Sequence, residues 1–280
     1  RRTLVESSFV VLEGPNDPSR LKAIFMAGCP GSGKGTVIRG IFGKSYGTTY
    51  QGMKIVNPDQ LYELLLTKSG LPLSQPALPE DHPDLKAYQS AAGKLQYSAG
   101  MKMTGGSGGI SPGHVGLPQD AYGYKPAKKQ RGLSRLEMHV NEKLGVIIDG
   151  TAANYSKIER EKKILEDLGY STMMIAVNVP VDVALDRNKA RGEKGNRSIH
   201  PDAVRNTCER LDPNFERYRV LFGENYIEVD NTLPIETTLT SHVLSKINSF
   251  IVAPTSDSNS DGKLSPDELR SIAQRIEQSS

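Results

Sequence analysis

Continuous apolar runs alternate with helical periodicity along most of the chain. Ala23-Ile24-Phe25-Met26-Ala27 has no polar face and reads as a buried strand; the pattern over 37–42 that follows is helical. Met53-Lys54-Ile55-Val56-Asn57 reads as a short second strand, and Pro58 is placed to open a helix through Leu61, Leu64 and Leu65. Val146-Ile147-Ile148 predicts a third strand ending at Asp149-Gly150-Thr151. A charged helix over about 155–168 is then closed by Gly169. Residues 172–179 predict a buried strand, and Pro180 with Asp182 starts a helix to about Arg191. Residues 201–222 read as helix, 226–229 as the last strand and 235–250 as a closing helix. Strands alternating with helices predict an α/β fold in three layers, αβα, around a mostly parallel sheet.

Two stretches depart from this rhythm. Residues 70–131 are rich in Pro, Gly and Ser, with one helix expected near 84–97. A loop region of this length inside a domain is either functional or without fixed structure. The polar tail, 253–280, is the other. The expected division is therefore a domain over 1–252, carrying the 70–131 insert, and a tail over 253–280.

The loop between the first strand and helix, Gly28-Cys29-Pro30-Gly31-Ser32-Gly33-Lys34-Gly35-Thr36, fits the phosphate-binding pattern G-x-x-x-x-G-K. Its glycines let backbone N–H groups turn toward phosphate oxygens, and the helix N-terminus adds a favourable dipole. Lys34 is placed to reach the β- and γ-phosphates of ATP. Gly35 stands where Ser or Thr usually binds magnesium, and Thr36 is the hydroxyl nearest to that role. This form of the loop resembles that of nucleoside monophosphate kinases, so a small-substrate kinase is favoured over a motor or a switch.

Phosphoryl transfer also needs charge neutralisation and a group that orients the attacking hydroxyl. Asp59 follows the second strand, where the carboxyl ends of strands line the ligand crevice. It either accepts the proton of a substrate hydroxyl or only stabilises its own helix N-terminus. Asp149 ends an apolar strand and either holds magnesium or makes a turn with Gly150 and Thr151. Arg187 and Arg191 share one helix face, and Arg197 lies beyond a glycine-rich turn. They either close over the triphosphate or form an exposed basic helix end.

Composition narrows the partners. The net charge is only +3, which implies no strong field for nucleic acid. The chain has no Trp and few aromatics, so a stacking surface for single strands is not expected. Lys125, Lys128, Lys129 and Arg131 form a local basic cluster, either solvated or attractive to an anion. The two cysteines, Cys29 and Cys208, suggest no structural disulfide and a reducing compartment. With neither a signal peptide nor a membrane-spanning apolar run, a cytoplasmic location is expected.

The tail contains Asp257, Asn259, Asp261, Gly262, Lys263, Leu264, Ser265 and Glu268 at the spacing of an EF-hand calcium loop. Calcium takes roughly six to eight oxygens, with Lys263 giving its backbone carbonyl and Glu268 two oxygens. Pro254 interrupts the helix that would lead in. The tail therefore reads as a calcium loop, as a docking element for a protein partner, or as a polar turn before a helix.

Together, Gly28 to Thr36, Val56-Asn57-Pro58-Asp59, Ile147 to Thr151, Leu168-Gly169-Tyr170, Val177 to Pro180, Arg187 to Arg191, Phe222-Gly223 and Val229-Asp230-Asn231 resemble the zeta-toxin-like branch of the P-loop kinases over about residues 20–250. The resemblance implies a P-loop NTPase core and ATP-dependent phosphorylation of a hydroxyl, which in zeta toxins proper belongs to a UDP-activated amino sugar. It implies phosphate binding by Lys34, general-base action by Asp59, and stabilisation of the transferred group by Arg191 and Arg197. Similar domains also occur in bacteriophages. The Gly35-Thr36 pair and the insert depart from the family pattern, so kinase activity carries over better than the sugar substrate. The alternatives are a polynucleotide or nucleoside kinase, and a nucleotide-binding, calcium-regulated interaction protein without catalysis.

Overall fold

Among residues 17–43, 52–76, 78–125 and 132–255, which the computed structural model describes, five strands form one parallel sheet. They are β1 (Lys22–Ala27), β2 (Lys54–Val56), β3 (Val146–Asp149), β4 (Ser171–Asn178) and β5 (Tyr226–Asp230), in the order β2-β3-β1-β4-β5. The chain starts at the centre, steps to the β2 edge, returns through β3 and crosses β1 to reach β4. The helices are α1 (Lys34–Phe42), α2 (Pro58–Lys68), α3 (Pro83–Thr104), α4 (Arg135–Asn141), α5 (Tyr155–Asp167), α6 (Val181–Glu193), α7 (Pro201–Phe222), α8 (Ile235–Thr238) and α9 (Ser241–Val252).

Helices cover both faces of the sheet, which explains its uninterrupted apolar strands. Ala23, Phe25 and Ala27 of β1 pack with α4, α5 and α7. Ile24 and Met26 pack on the other side with α1 and α9. Phe25 and Met26 are fully buried, each worth about 1.5–3 kcal/mol relative to exposure. This is the three-layer α/β arrangement that the pattern predicts. A smaller apolar cluster joins α2 to α3 through Tyr62, Leu66, Tyr88 and Ala92.

Register positions the site. Met26 lies opposite Asp149, and Val56 opposite Ile148. Asn57, Asp149 and the glycine loop after Ala27 therefore meet at one end of the sheet. On the far side Asn178 pairs with Asp230, which brings Asn231 to the same end.

Two expectations need correction. The closing helix is divided: α8 ends at Thr238, and Thr240 caps α9 by accepting from the Val243 N–H at 3.3 Å. The helix expected near 84–97 runs to Thr104, where Gly105 stops it in the left-handed region. The insert beyond it is built of short 3-10 turns at 106–108, 112–115 and 121–123. These turns are held from outside: Lys157 donates to the Gly106 carbonyl at 2.9 Å and Arg160 to that of Gly108 at 2.8 Å. The calcium loop, and the basic cluster apart from Lys125, lie outside the described residues.

Candidate active site

The loop from Gly28 to Gly33 joins β1 to α1, and two of its glycines are required twice over. Gly31 and Gly33 both have φ +88°, which favours glycine. A Cβ would lie 2.2 Å from the Ala184 carbonyl oxygen at Gly31, and 2.2 Å from Asn231 Nδ2 at Gly33. Helix α6 and the end of β5 thus press directly on the loop. Lys34 arches back over it, donating from Nζ to the carbonyls of Gly28 at 2.7 Å and Cys29 at 3.4 Å. Ser32 is fully buried, and its hydroxyl has no partner among the described residues. An unsatisfied hydroxyl within a ring of glycine amides suits an anionic oxygen acceptor.

Next to the loop, Asn57 donates from Nδ2 to Asp149 Oδ2 at 2.7 Å. Its Oδ1 accepts from the Asp59 N–H at 2.8 Å and caps α2. One side chain therefore ties the acid ending β3 to the helix that carries Asp59. Burial pushes the Asp149 carboxyl up, the Lys34 ammonium pulls it down, and the Asp59 charge raises it again. Lys34, Asp149 and Asp59 thus share one electrostatic site. A cation there would favour the ionised carboxylate that desolvation disfavours.

Asp59 also forms an ion pair with Arg197 at 2.9 Å. The arginine side chain is only 9% exposed and lies over the Tyr62 ring, 4.8 Å from its centroid, whereas that of Asp59 is 58% exposed. Arg191 pairs with Glu63 of α2 at 2.6 Å. The segment following α6 is fastened further by Ser74, whose hydroxyl donates to the Asn196 carbonyl at 3.3 Å and accepts from the Ser198 N–H at 3.0 Å.

The three arginines therefore separate. Arg191 and Arg197 reach α2, on the side of Asp59. Arg187 reaches the phosphate loop, donating to the carbonyls of Asn231 at 2.7 Å and Ser32 at 3.5 Å. Gly35 lies in the first turn of α1, and Thr36 is exposed there, accepting from Arg39 at 3.2 Å. Among the described residues no cluster of three His, Cys, Asp or Glu side chains could hold a metal. Magnesium at this site would have Asp149 as its protein carboxylate, with phosphate and water oxygens completing the shell. Tyr62 and Glu63 carry no signal in the sequence, and Asn57 and Asn231 stand there within motifs of the resemblance without a role of their own. The Asn57-Pro58 pair was a visible cap signal; the other three depend on packing between distant elements.

Cys29 and Cys208 are free and buried, and both line a cavity of about 590 Å³ beside the loop. Burial and the neighbouring Cys29 thiol push the Cys208 thiol up to about 12. At pH 8 its alkylation by iodoacetamide is expected to be at least about a hundredfold slower in the native protein than in the unfolded chain, because so little thiolate exists. Peptide mass spectrometry after timed quenching checks this; equal rates would overturn it.

The fold and loop define an α/β protein built on a phosphate-binding loop. A model of the Zeta toxin family matches residues 125–232, which include Asp149, Arg187, Arg191, Arg197 and Asn231 but neither Lys34 nor Asp59. Among solved structures, a gluconokinase from Sinorhizobium meliloti 1021 is similar at 14% identity and a TM-score of 0.40, over 82% of this chain and 93% of that one. A deoxyadenosine kinase from M. mycoides with bound dATP is similar at 16% identity and a TM-score of 0.32, over 81% of this chain and 100% of that one. Comparison with curated proteins gives no match. No helix among the described residues is long and apolar enough to cross a membrane.

Proposed function

We propose that the protein is an ATP- and magnesium-dependent kinase that phosphorylates a hydroxyl of a small molecule. The observation that carries this reading is the meeting of Lys34, Asp149, Asp59 and Arg197 at one end of the sheet. A phosphate loop alone describes nucleotide binding; a carboxylate beside it, on a separate helix, supplies what transfer requires.

In this reading the loop amides and Lys34 hold the β- and γ-phosphates, with Arg187 bracing the loop. Asp149 would hold magnesium, which would neutralise phosphate charge; Thr36 would join only by releasing Arg39. The acceptor oxygen attacks the γ-phosphorus, the bond to the bridging oxygen breaks, and ADP leaves. Asp59 takes the hydroxyl proton. Its present partner, Arg197, is then released toward the transferred group, and Arg191 joins it from Glu63. The acceptor class favoured by the zeta-toxin likeness is a UDP-activated amino sugar.

The test is transfer from γ-labelled ATP with magnesium to a panel of UDP-amino sugars, nucleosides and 5′-hydroxyl oligonucleotides. Label on a UDP-amino sugar supports the reading in full. Label on a nucleoside or oligonucleotide keeps the kinase and replaces the acceptor. ATP binding without label on any acceptor would favour a nucleotide-gated interaction protein.

A further inference from the structure

We infer that Asn231 is a positioning residue of the phosphate loop, whose side-chain amide aims the Gly33 N–H at the phosphates of a bound nucleoside triphosphate. This rests on the nucleotide-binding part of the proposed function and extends it to a residue outside the loop, supplied by the far side of the sheet.

The Asn231 side chain is buried and donates from Nδ2 to the Ser32 carbonyl at 2.7 Å. A trans peptide is planar, with its C=O and N–H pointing in opposite directions, and the described residues contain no cis bond. Drawing the Ser32 oxygen toward β5 therefore turns the Gly33 N–H away from β5. Gly33 is left-handed (φ 88°, ψ 23°) and precedes the first helical residue, Lys34. That sequence of conformations makes successive N–H groups converge on an anion. Among the described residues the Gly33 N–H has no acceptor, while the Gly33 carbonyl accepts from Thr36 and Val37 to start α1. The donor that Asn231 orients is thus available to a ligand.

Asn231 is itself held on two sides. Its backbone N–H donates to the Asn178 carbonyl at 3.1 Å, and its carbonyl accepts from Arg187 at 2.7 Å. The missing Cβ of Gly33 is what lets the amide approach the loop so closely. The β5 end, α6 and the loop are thereby joined through one residue, and the peptide orientation is set before any ligand arrives. Pre-set donors lose less on binding than donors that must reorient.

The test is calorimetric titration of the full chain with ATP and, separately, with inorganic tripolyphosphate. Asn231→Leu removes the donor at similar volume; Asn231→Asp sets a carboxylate against the Ser32 carbonyl and carries the test if the leucine variant fails to fold. Thermal melting confirms that each variant is native at the titration temperature. The expected result is a loss of about tenfold in affinity, the scale of one charge-assisted hydrogen bond, by the same factor for both ligands. A general loosening of the fold would lower the melting temperature without producing this loss in the native protein. Unchanged affinity for both, with wild-type binding intact, overturns the positioning role and leaves the kinase reading standing. A loss confined to ATP also overturns it, because Asn231 would then serve the base. Wild-type protein that binds neither ligand overturns the nucleotide reading and this inference with it.

Discussion

Asp59→Ala is expected to lower kcat for transfer by about 10²–10⁴, the range of a positioned general base, while the ATP dissociation constant stays within about twofold. The separation follows from placement. In the proposed reading the loop and Lys34 hold the nucleotide phosphates, whereas Asp59 lies on α2, linked through Asn57 to Asp149 at the end of β3. The capping of α2 belongs to Asn57, which accepts from the Asp59 backbone and not from its side chain. Removing the carboxylate therefore leaves the cap in place and costs the helix only a favourable dipole interaction, a few tenths of a kcal/mol. It also frees Arg197, whose guanidinium is nearly buried over Tyr62. Asp59→Asn is the companion variant, because it keeps an oxygen for the arginine while losing basicity. Both should fall alike in kcat. Single-turnover transfer and calorimetric ATP binding check the pair; activity equal to wild type in either would remove Asp59 from the chemistry.

The sheet was legible in the sequence because helices cover both of its faces. A strand such as Ala23–Ala27 must then be apolar throughout, and its bounding glycines and prolines mark its ends. The glycine loop was legible for a related reason, since the positive φ at Gly31 and Gly33 allows little else. Arginine placement was not. Helical spacing puts Arg187 and Arg191 on one face, but it does not reveal that Glu63 of α2 draws Arg191 to one side of the crevice while Asn231 draws Arg187 to the other. Such partners lie 128 and 44 residues away. Asn231 belongs to a motif of the resemblance, but its contact with the loop was not legible, because it comes from the pairing of Asn178 with Asp230, a register that no local pattern encodes.

Glu137→Ala is expected to destabilise the protein by about 3–5 kcal/mol, the cost of stranding the several buried donors that its carboxylate satisfies. The insert explains why so much depends on a carboxylate far from the phosphate loop. Beyond α3 the insert adds Ile110 and Val115 to the core, but its glycines and prolines give little repeating structure, so specific polar anchors add to its order. Glu137 is fully buried at the start of α4. One of its oxygens accepts from the Ser111 N–H at 2.7 Å. The other accepts from the Ser134 N–H at 2.7 Å and hydroxyl at 2.9 Å, with His114 Nδ1 at 3.2 Å. The Ser134 half is a capping box, visible as Ser-x-x-Glu in the chain although α4 was not anticipated. The Ser111 half spans 26 residues and turns a local cap into a clasp on the insert. Alanine strands at least two buried N–H groups, each costing about 1–3 kcal/mol. Urea unfolding measures the total, and hydrogen exchange locates it. Protection should fall first across 105–124 while β1 and β4 stay protected, because the sheet retains its own core. A loss below about 1 kcal/mol, or exchange unchanged in the insert, would show that Lys157 and Arg160 suffice to hold it.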